Sequence, residues 1–445
     1  MSQHETIHQA MDVLLEEARK HGAEADIVVQ SQEAFDLSSY QEKIDRYEVA
    51  NTRKVGIRIV KDQKVAAGCS ESFEVNDLKR MVNTLLESLP YTKTSEHQRI
   101  VCTKPEKIEL EEAINQPDDV DIEAKVNLVL SVEEALRQQR HVDNITANYY
   151  SEATIQYHVA NTLGVSREHH ERQLCYGAEV LCAHDEKQSM HYSSSLARHF
   201  DDLDTEFVIR HSTEVARDLL DGAPVATGHY DIIFSVEELG GVFSAFAGAF
   251  SGKVAMQGLS PLTKRIGQQV GYDGLTLRDA PFQPGGMHIK AFDSEGFTTR
   301  NTTLIQNGVL LSLLHNSETA SYFHTETTAN AERMTSLGIE ASHIVIDAGH
   351  HSLSDVQSGE YLELVQLHGV HSGADLVTGD FSFGASGFLC RDGERIQPVR
   401  GVTVAGNFYA MLQNIVAIGQ EVEFDFLRAF YAPKVRFASL SIAGK

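Results

Sequence analysis

The sequence predicts an α+β protein: an N-terminal mixed α/β domain, residues 1–226, followed by a larger, mainly-β C-terminal domain, residues 227–445. Amphipathic helices and strands of alternating polarity are interspersed through the first half, which is typical of α+β folds. Gly222, Pro224 and Gly228 cluster where this pattern ends and indicate a domain boundary. Beyond one apolar helix, the second half consists mainly of short strands separated by glycine and proline.

Composition predicts a soluble, cytoplasmic protein that binds neither membranes nor nucleic acid. The chain has 38 basic and 63 acidic residues, a formal net charge of −25, and this field repels phosphate backbones. Residues 1–22 lack the apolar segment of a signal peptide, and no apolar run reaches the roughly 18–20 residues of a membrane span. The five cysteines are scattered and never in C-x-x-C spacing, which favours a reducing compartment.

In the first half, periodicity predicts alternating helices and strands. Apolar residues at helical spacing predict helices at 5–21, 76–89, 121–139 and 205–220. Alternating polarity predicts strands at 26–32, 35–40, 44–49, 55–60, 65–70, 142–150, 153–161, 166–176 and 178–187. The KDQK segment predicts a hairpin turn, and Pro90, Pro105 and Pro117 predict an irregular connection over 90–119.

The second half is predicted to start with a strand at 229–234 and a buried helix from Ser235 to Gly252. Ser235 and Glu238 form an S-x-x-E pattern, which predicts a reciprocal capping box. Each glycine of this helix costs about 1 kcal/mol relative to alanine, so we expect another element to approach it closely. Further strands are predicted at 287–292, 302–306, 309–315, 361–368, 380–390, 395–404 and 436–443, with partial helix at 405–418.

Twenty-one histidines raise the question of a metal site. Zinc-protease helices carry H-E-x-x-H or H-E-x-x-x-H, because imidazoles one turn apart can share an ion. We expect no helix with either of these two motifs, and we assign no residue as a metal ligand. At most, histidines at the surface would form an incidental metal site. Neighbouring histidines such as His169 and His170 should diverge on a strand. His368 and His371 would converge only if Gly369 permits a bulge.

No nucleophile or nucleotide-binding motif is predicted, so we assign no catalytic residue. Ser386 lies in GASGF, where the second glycine comes one residue too early for a nucleophile elbow. Cys390, at the end of GFLC, is interpreted as a small buried residue. The sequence has neither a P-loop nor a G-x-G-x-x-G after a strand.

Two carboxylates, Asp293 and Glu295, would share one face of an extended segment and could orient a ligand or a metal. The favoured alternative is a turn in which they accept backbone N–H groups and Gly296 supplies the turn conformation. The same two interpretations apply to the segment Thr378-Gly379-Asp380.

At these motifs the chain resembles the TldD/PmbA family, specifically its TldE (PmbA) branch. That branch is described as a modulator of DNA gyrase and as part of a peptide-maturing protease. The similar segments are FDSEGFTTRNTTLIQNGVL (292–310), TANA (328–331), VTGDFSFGASGFLCRDGERIQPVRGVTVAGN (377–407) and SLSIAG (439–444). The strands around 55–60 and the helix 76–89 also resemble the family's first domain, so the resemblance covers nearly the whole chain.

The resemblance implies that zinc is held by a TldD-type partner and that this chain carries no cofactor. In the TldD branch, the helix equivalent to 235–252 carries H-E-x-x-x-H, and a cysteine near the C-terminus completes the zinc site. The corresponding residues here are AFAGAF at 245–250, and no cysteine follows Cys390. The implied assembly is a heterodimer with a TldD-type subunit, and a homodimer when the chain is isolated.

The resemblance further implies a cavity that binds unfolded peptides in extended form, as an added strand. The expected substrate or subunit contacts are Phe246, Phe250, Asp293, Glu295, Gly296, Thr378, Gly379 and Asp380. Two alternatives stay open: a homodimeric peptide-binding or gyrase-modulating protein, and a hydrolase with unconventional metal ligands such as His368, His371 or Asp293.

Overall fold

The computed structural model describes residues 3–104, 114 and 119–445. Pro105 and Pro117 of the predicted irregular connection lie outside the described residues. The helices are α1 Gln3–Lys20, α2 Val75–Ser88, α3 Ile122–Arg137, α4 Thr205–Asp218, α5 Val236–Ala245, α6 Gly252–Met256, α7 Ser317–Phe323, α8 Leu353–Val356 and α9 Phe408–Gln413. No helix in the described part of the chain is both long and apolar enough to cross a membrane.

The strands of the N-terminal half are β1 Glu24–Tyr40, β2 Lys43–Lys61, β3 Lys64–Ser70, β4 Val142–Asn161, β5 Ser166–His184 and β6 Lys187–Ala197. They form one antiparallel sheet in the order β3-β2-β1-β4-β5-β6. The KDQK hairpin is confirmed, with Asp62 and Gln63 at positive φ. Several pairs of short strands predicted from the sequence are each one long strand in the structure. Their backbone pairing continues through the residues where the alternation of polar and apolar side chains is interrupted. Strand β6 is polar, so its pattern did not predict it.

Helices α1 to α4 all cover one face of this sheet. Ile27 and Val29 of β1 share a core with α1 and α2, and Leu37 of the same strand shares one with α3 and α4. Odd-numbered β1 residues therefore face the helices, because strand side chains alternate. On the opposite face, Val28 contacts Phe292 of the C-terminal half. The sheet thus joins the helices on one side to the C-terminal domain on the other.

The strands of the C-terminal half are β7 Gly228–Phe234, β8 Leu277–Asp279, β9 Thr302–Gln306, β10 Val309–Leu310, β11 Ala331–Glu332, β12 Gly338–Ile339, β13 Ile344–Ile346, β14 Glu360–His368, β15 Asp380–Arg391, β16 Glu394–Asn407, β17 Ile415–Phe424 and β18 Phe430–Ala443. Strands β7, β14, β15, β16 and β18 pair in a closed ring, since β7 pairs with both β14 and β18. The architecture is therefore α+β with a strand-rich C-terminal part, as predicted.

Two strand predictions and one helix prediction in this half differ from the structure. Residues 287–292 form no strand, because their backbone groups make hydrogen bonds to loop residues instead of to a neighbouring strand. For example, the Thr299 hydroxyl donates to the carbonyl of Lys290. Of the predicted strand 309–315, only Val309–Leu310 forms a strand, and Leu314 makes an isolated bridge with Ser251. Strand β17 falls partly within the segment predicted to be helical, where only Phe408–Gln413 is a helix.

The predicted helix 235–252 is shorter than expected. Helix α5 ends at Ala245, a 3-10 turn covers Ala247–Phe250, and α6 begins at Gly252. Ser235 Oγ accepts the Glu238 N–H at 3.4 Å, but the Ser235 N–H donates to the Leu364 carbonyl, so the reciprocal half of the capping box is absent. The close approach is confirmed at Gly240, where a Cβ would lie 3.1 Å from Phe430.

Candidate functional site

A cavity of about 1050 Å³ lies between the two halves of the chain. Its N-terminal wall is formed by β6 and α4. Its C-terminal wall is formed by the start of α5, the end of β14 and the segment around β17. The cavity is large enough for an extended peptide segment, since ligand pockets commonly measure roughly 300–1,000 Å³.

Strand β6 borders the cavity with the free edge of the N-terminal sheet. The carbonyls of Gln188 and Met190 point away from β5, since they accept hydrogen bonds from Arg400 and Gln366, each at 2.7 Å. By the alternation of an antiparallel ladder, the backbone groups of Tyr192 and Ser194 point the same way, into the cavity. An exposed ladder edge of this kind can accept an additional strand.

The second strand edge belongs to β14. Strand β7 pairs with β14 only as far as Leu364, because the chain then turns into α5. Beyond that point, β14 residues Val365 to His368 line the cavity. Glu238 of α5 lines the cavity together with this edge, and its carboxylate lies near the backbone N–H of Leu367.

Carboxylates dominate the charge of the cavity. The acidic lining includes Glu179, Asp204, Glu237, Glu238, Glu363 and Asp425, against the basic residues Arg395, Arg428 and Lys434. Burial raises the pKa of Glu238 to about 7, and the charge of Glu237 adds to this. Burial also raises the pKa of Asp425. A cationic ligand segment would relieve this repulsion between carboxylates.

Two histidines contribute neutral imidazoles to the N-terminal wall. The rings of His191 and His211 lie 5.0 Å apart, and Phe207 stacks on His211. Burial lowers the pKa of His191 to about 3 and that of His211 to about 4, so both are neutral at physiological pH. This part of the wall is therefore aromatic and uncharged.

Replacing Glu238 with glutamine is expected to make stability less dependent on pH. The native pKa of about 7 exceeds the ordinary value of 4.5, so the native state binds more protons and the free energy of unfolding falls as pH rises from about 5 to 8. The variant should exceed the original chain in stability by up to about 3 kcal/mol at pH 8, and differ little at pH 5. Thermal unfolding at both values measures this, with the exposed Glu421→Gln as a control that leaves the slope unchanged.

Comparisons with known proteins identify the family. Models of the PmbA/TldA metallopeptidase domain 1, central domain and C-terminal domain match residues 25–89, 115–220 and 227–444. This chain belongs to the PmbA/TldD family. It is 25% identical to the metalloprotease PmbA homolog of Haemophilus influenzae, over 95% of this chain and 93% of that protein. It is 22% identical to the metalloprotease PmbA of Escherichia coli O157:H7, with the same coverage.

Solved structures show the same fold. The chain resembles a putative modulator of a DNA gyrase from Thermotoga maritima, with a TM-score of 0.88 and 24% identity over 98% of this chain and 100% of that one. It also resembles TldE from Thermococcus kodakarensis, with a TM-score of 0.84 and 21% identity over 98% and 100%.

In this PmbA/TldD chain, the two phenylalanines expected at a contact surface lie in the core. Phe246 is fully buried and stacks on Phe408 with ring centroids 4.5 Å apart, and Phe250 is 4% exposed. Neither ring lines the cavity described above. A substrate or partner therefore does not reach either ring in this structure, and their assignment as contacts stays a prediction.

Asp293, Glu295 and Gly296 form the turn that the sequence analysis favours over a ligand site. Asp293 Oδ1 accepts the N–H groups of Glu295 and Phe297 at 3.0 and 2.9 Å, and Gly296 has φ +83°. Burial raises the pKa of Asp293, and the neighbouring Glu295 raises it further. Asp293 and Glu295 are 2% and 1% exposed, so neither is available to an outside ligand.

Glu295 instead belongs to a buried ionic network across the domain interface. Arg58 of β2 places Nη2 at 2.5 Å from Asp26 and 3.0 Å from Glu295. Arg333 of the C-terminal half pairs with the other Asp26 oxygen at 2.5 Å. Asp26 and Arg58 are direct partners in the β1–β2 ladder, so the register places both on the face towards the C-terminal domain. The turn thus serves to join the two halves.

The Thr378-Gly379-Asp380 segment is a surface turn away from the cavity. The Asn407 amide donates to the Thr378 carbonyl at 2.8 Å and to an Asp380 carboxylate oxygen at 2.9 Å. Gly379 has φ +84°, and a Cβ there would lie 2.4 Å from Tyr409. Thr378 and Asp380 are exposed and can still contact a partner.

The expectation that the chain has no H-E-x-x-H helix is wrong. The first helix does carry H-E-x-x-H, as His4-Glu5-Thr6-Ile7-His8. Within the described residues, His4 and His8 approach Glu168, and His170 and His158 surround the same carboxylate. His368, His371 and Asp293 belong to neither of these groups. The pattern lies within the first eight residues and is recognisable from their spacing alone.

Proposed function

We propose that this chain is the non-catalytic, peptide-binding subunit of a TldD/TldE zinc metalloprotease. A TldD-type partner holds the catalytic zinc, and the complex degrades unfolded peptides and matures leader peptides. The observation that carries the proposal is the apolar packing at 245–250, where TldD-type chains have zinc ligands. Phe246 and Phe250 fill this place in the core, so the chain's own contribution must lie elsewhere.

The cavity supports a role in holding an extended peptide. It lies between the free edge of β6 and the open end of β14, so a peptide can bond to backbone groups on either side. Backbone bonding tolerates many sequences, which suits unfolded substrates. The excess of carboxylates favours segments that carry lysine or arginine.

The proposed partner arrangement is a heterodimer with the TldD-type subunit and a homodimer of the chain alone. We place the complex in the cytoplasm, supported by five cysteines that are all unpaired. The exposed turn at Thr378 and Asp380 is one candidate contact with the partner.

The deciding experiment mixes the purified chain with a TldD-type subunit and a reduced, alkylated, fluorescein-labelled casein. We expect labelled peptides to be released only by the mixture, and a chelator to stop the release. Ser194→Pro removes the N–H that points into the cavity and should weaken casein binding by roughly tenfold, since proline blocks strand addition. Ser194→Ala is the matched control, which keeps that N–H and should bind nearly normally.

Two other results would contradict the proposal. Cleavage by the chain alone would favour a hydrolase with unconventional ligands. Casein binding without cleavage by the mixture, although the TldD-type subunit retains its zinc, would favour a homodimeric binding or gyrase-modulating protein. Circular dichroism of the Ser194 variants separates loss of binding from loss of fold.

A further inference from the structure

Four histidines and one glutamate converge where α1 covers the N-terminal sheet. His4 and His8 are one helical turn apart and lie on the same side of α1. In the β4–β5 ladder, His158 is the direct partner of Glu168, and His170 follows two residues later on the same face. His158 also pairs with Val29, which faces the helices. Sheet register and helix docking therefore bring all five side chains together.

Three of these groups present ligand atoms at metal-binding separations. The Nε2 atoms of His4 and His8 are 3.0 Å apart. They lie 3.6 and 4.0 Å from Glu168 Oε2. A tetrahedral zinc about 2.0–2.1 Å from each ligand requires ligand atoms about 3.3 Å apart. The observed separations bracket this value, so small side-chain rotations would complete the geometry.

His158 supplies an independent indication of a missing ligand. It is 1% exposed, and neither ring nitrogen has a hydrogen-bond partner among the described residues. Its Nδ1 lies 3.8 Å from Glu168 Oε2, the oxygen that His4 and His8 also approach. A buried imidazole without partners is costly, because it loses its bonds to water. A cation at this oxygen would provide the absent partner.

His170 holds the carboxylate in place from the other side. Its Nε2 lies 2.5 Å from Glu168 Oε1, so one oxygen is fixed and the other remains directed at His4, His8 and His158. Partners of this kind commonly orient the ligands of metal sites.

We propose that His4, His8 and Glu168 bind a late first-row divalent cation such as zinc, with the buried His158 beside the shared Glu168 oxygen and His170 orienting the carboxylate. Imidazole and carboxylate ligands suit zinc, cobalt and nickel. Two histidines from H-E-x-x-H and a glutamate from a distant strand form a recognised zinc ligand set. The His4 and His8 side chains are 56% and 40% exposed, so the ion can enter from solvent.

This inference is independent of the proposed function. The cluster lies on the helix-covered face of the sheet and shares no residue with the cavity. Zinc in the purified chain would therefore leave open whether the chain cleaves peptides, and the activity of the mixture would leave open whether zinc binds here. Variants of the ligands themselves decide the point.

The test uses the full chain without a histidine tag, titrated with CoCl₂ and then with ZnCl₂ in competition with a chromophoric chelator. We expect one high-affinity site and visible Co²⁺ bands typical of four or five ligands including nitrogen. His8→Gln and Glu168→Gln should each weaken binding by roughly tenfold or more. The matched control removes a histidine pair at the surface, the half-buried His141 and the exposed His184, whose rings are 4.6 Å apart. His141→Gln with His184→Gln should leave binding unchanged.

Unchanged Zn²⁺ affinity in both ligand variants would overturn the proposal, as would a Co²⁺ spectrum of hexa-aqua type in the original chain. Unfolding curves recorded without metal show whether each variant is folded. Added ZnCl₂ should raise the melting temperature of the original chain and of the control, but not that of His8→Gln.

Discussion

Replacing Arg58 with methionine is expected to lower the free energy of unfolding by about 3–5 kcal/mol. The guanidinium is 1% exposed and lies between the carboxylates of Asp26 and Glu295. Its removal leaves two buried acids with Arg333 as the remaining cation of the network. Because Glu295 belongs to the C-terminal domain, the loss should also weaken the joint between the two halves. Urea unfolding, followed by circular dichroism, measures the change.

A matched control lies on the same strand. Arg46 pairs with Glu48 at 2.6 Å, but both side chains are at least half exposed. Arg46→Met should leave the free energy of unfolding nearly unchanged, since exposed ion pairs contribute little. Equal effects of the two substitutions would mean that burial of the Arg58 network contributes nothing to the contact between the two halves of the chain.

Limited proteolysis near residue 225 then tests whether the two halves separate before they unfold.

Local patterns predicted the elements but not their junctions. Helices α1 to α4 and strands β1 to β5 follow from periodicity, because each buries one face. The ring closed by β7 and β18 does not, since it depends on pairing between residues more than 200 positions apart. Strand β6 has few apolar residues, and its place at the sheet edge follows from its pairing with β5.

The same division holds for the candidate sites. The turn at Asp293 follows from its own sequence, whereas the partner of Glu295 lies on β2 and could be known only from the assembled fold. The cavity needs both domains, so no single segment predicts it. The histidine cluster is intermediate. His4 and His8 are recognisable from spacing alone, but Glu168 and His158 join them only through the β4–β5 register.

Replacing Phe246 with alanine is expected to cost about 3–5 kcal/mol of stability, the usual range for a buried phenylalanine. The ring is fully buried and contacts Phe408 and Phe381. The large cavity left by alanine would be surrounded by other core side chains, which can collapse only in part. Thermal unfolding measures the loss. Phe424→Ala is the comparison, since this ring is 45% exposed and its removal should cost less than about 1 kcal/mol.

Variants of the two phenylalanines distinguish a role in the core from a role in the cavity, because Phe424 lines the cavity and Phe246 does not. Phe424→Ala should weaken casein binding while the protein stays stable. Phe246→Leu keeps most of the apolar volume, so it should be milder than alanine and leave casein binding and cleavage by the mixture intact. If Phe246→Leu is stable but abolishes binding or cleavage, the ring acts at a contact surface after all. In that case the core at 245–250 must open in the complex, because the ring is inaccessible in the isolated chain.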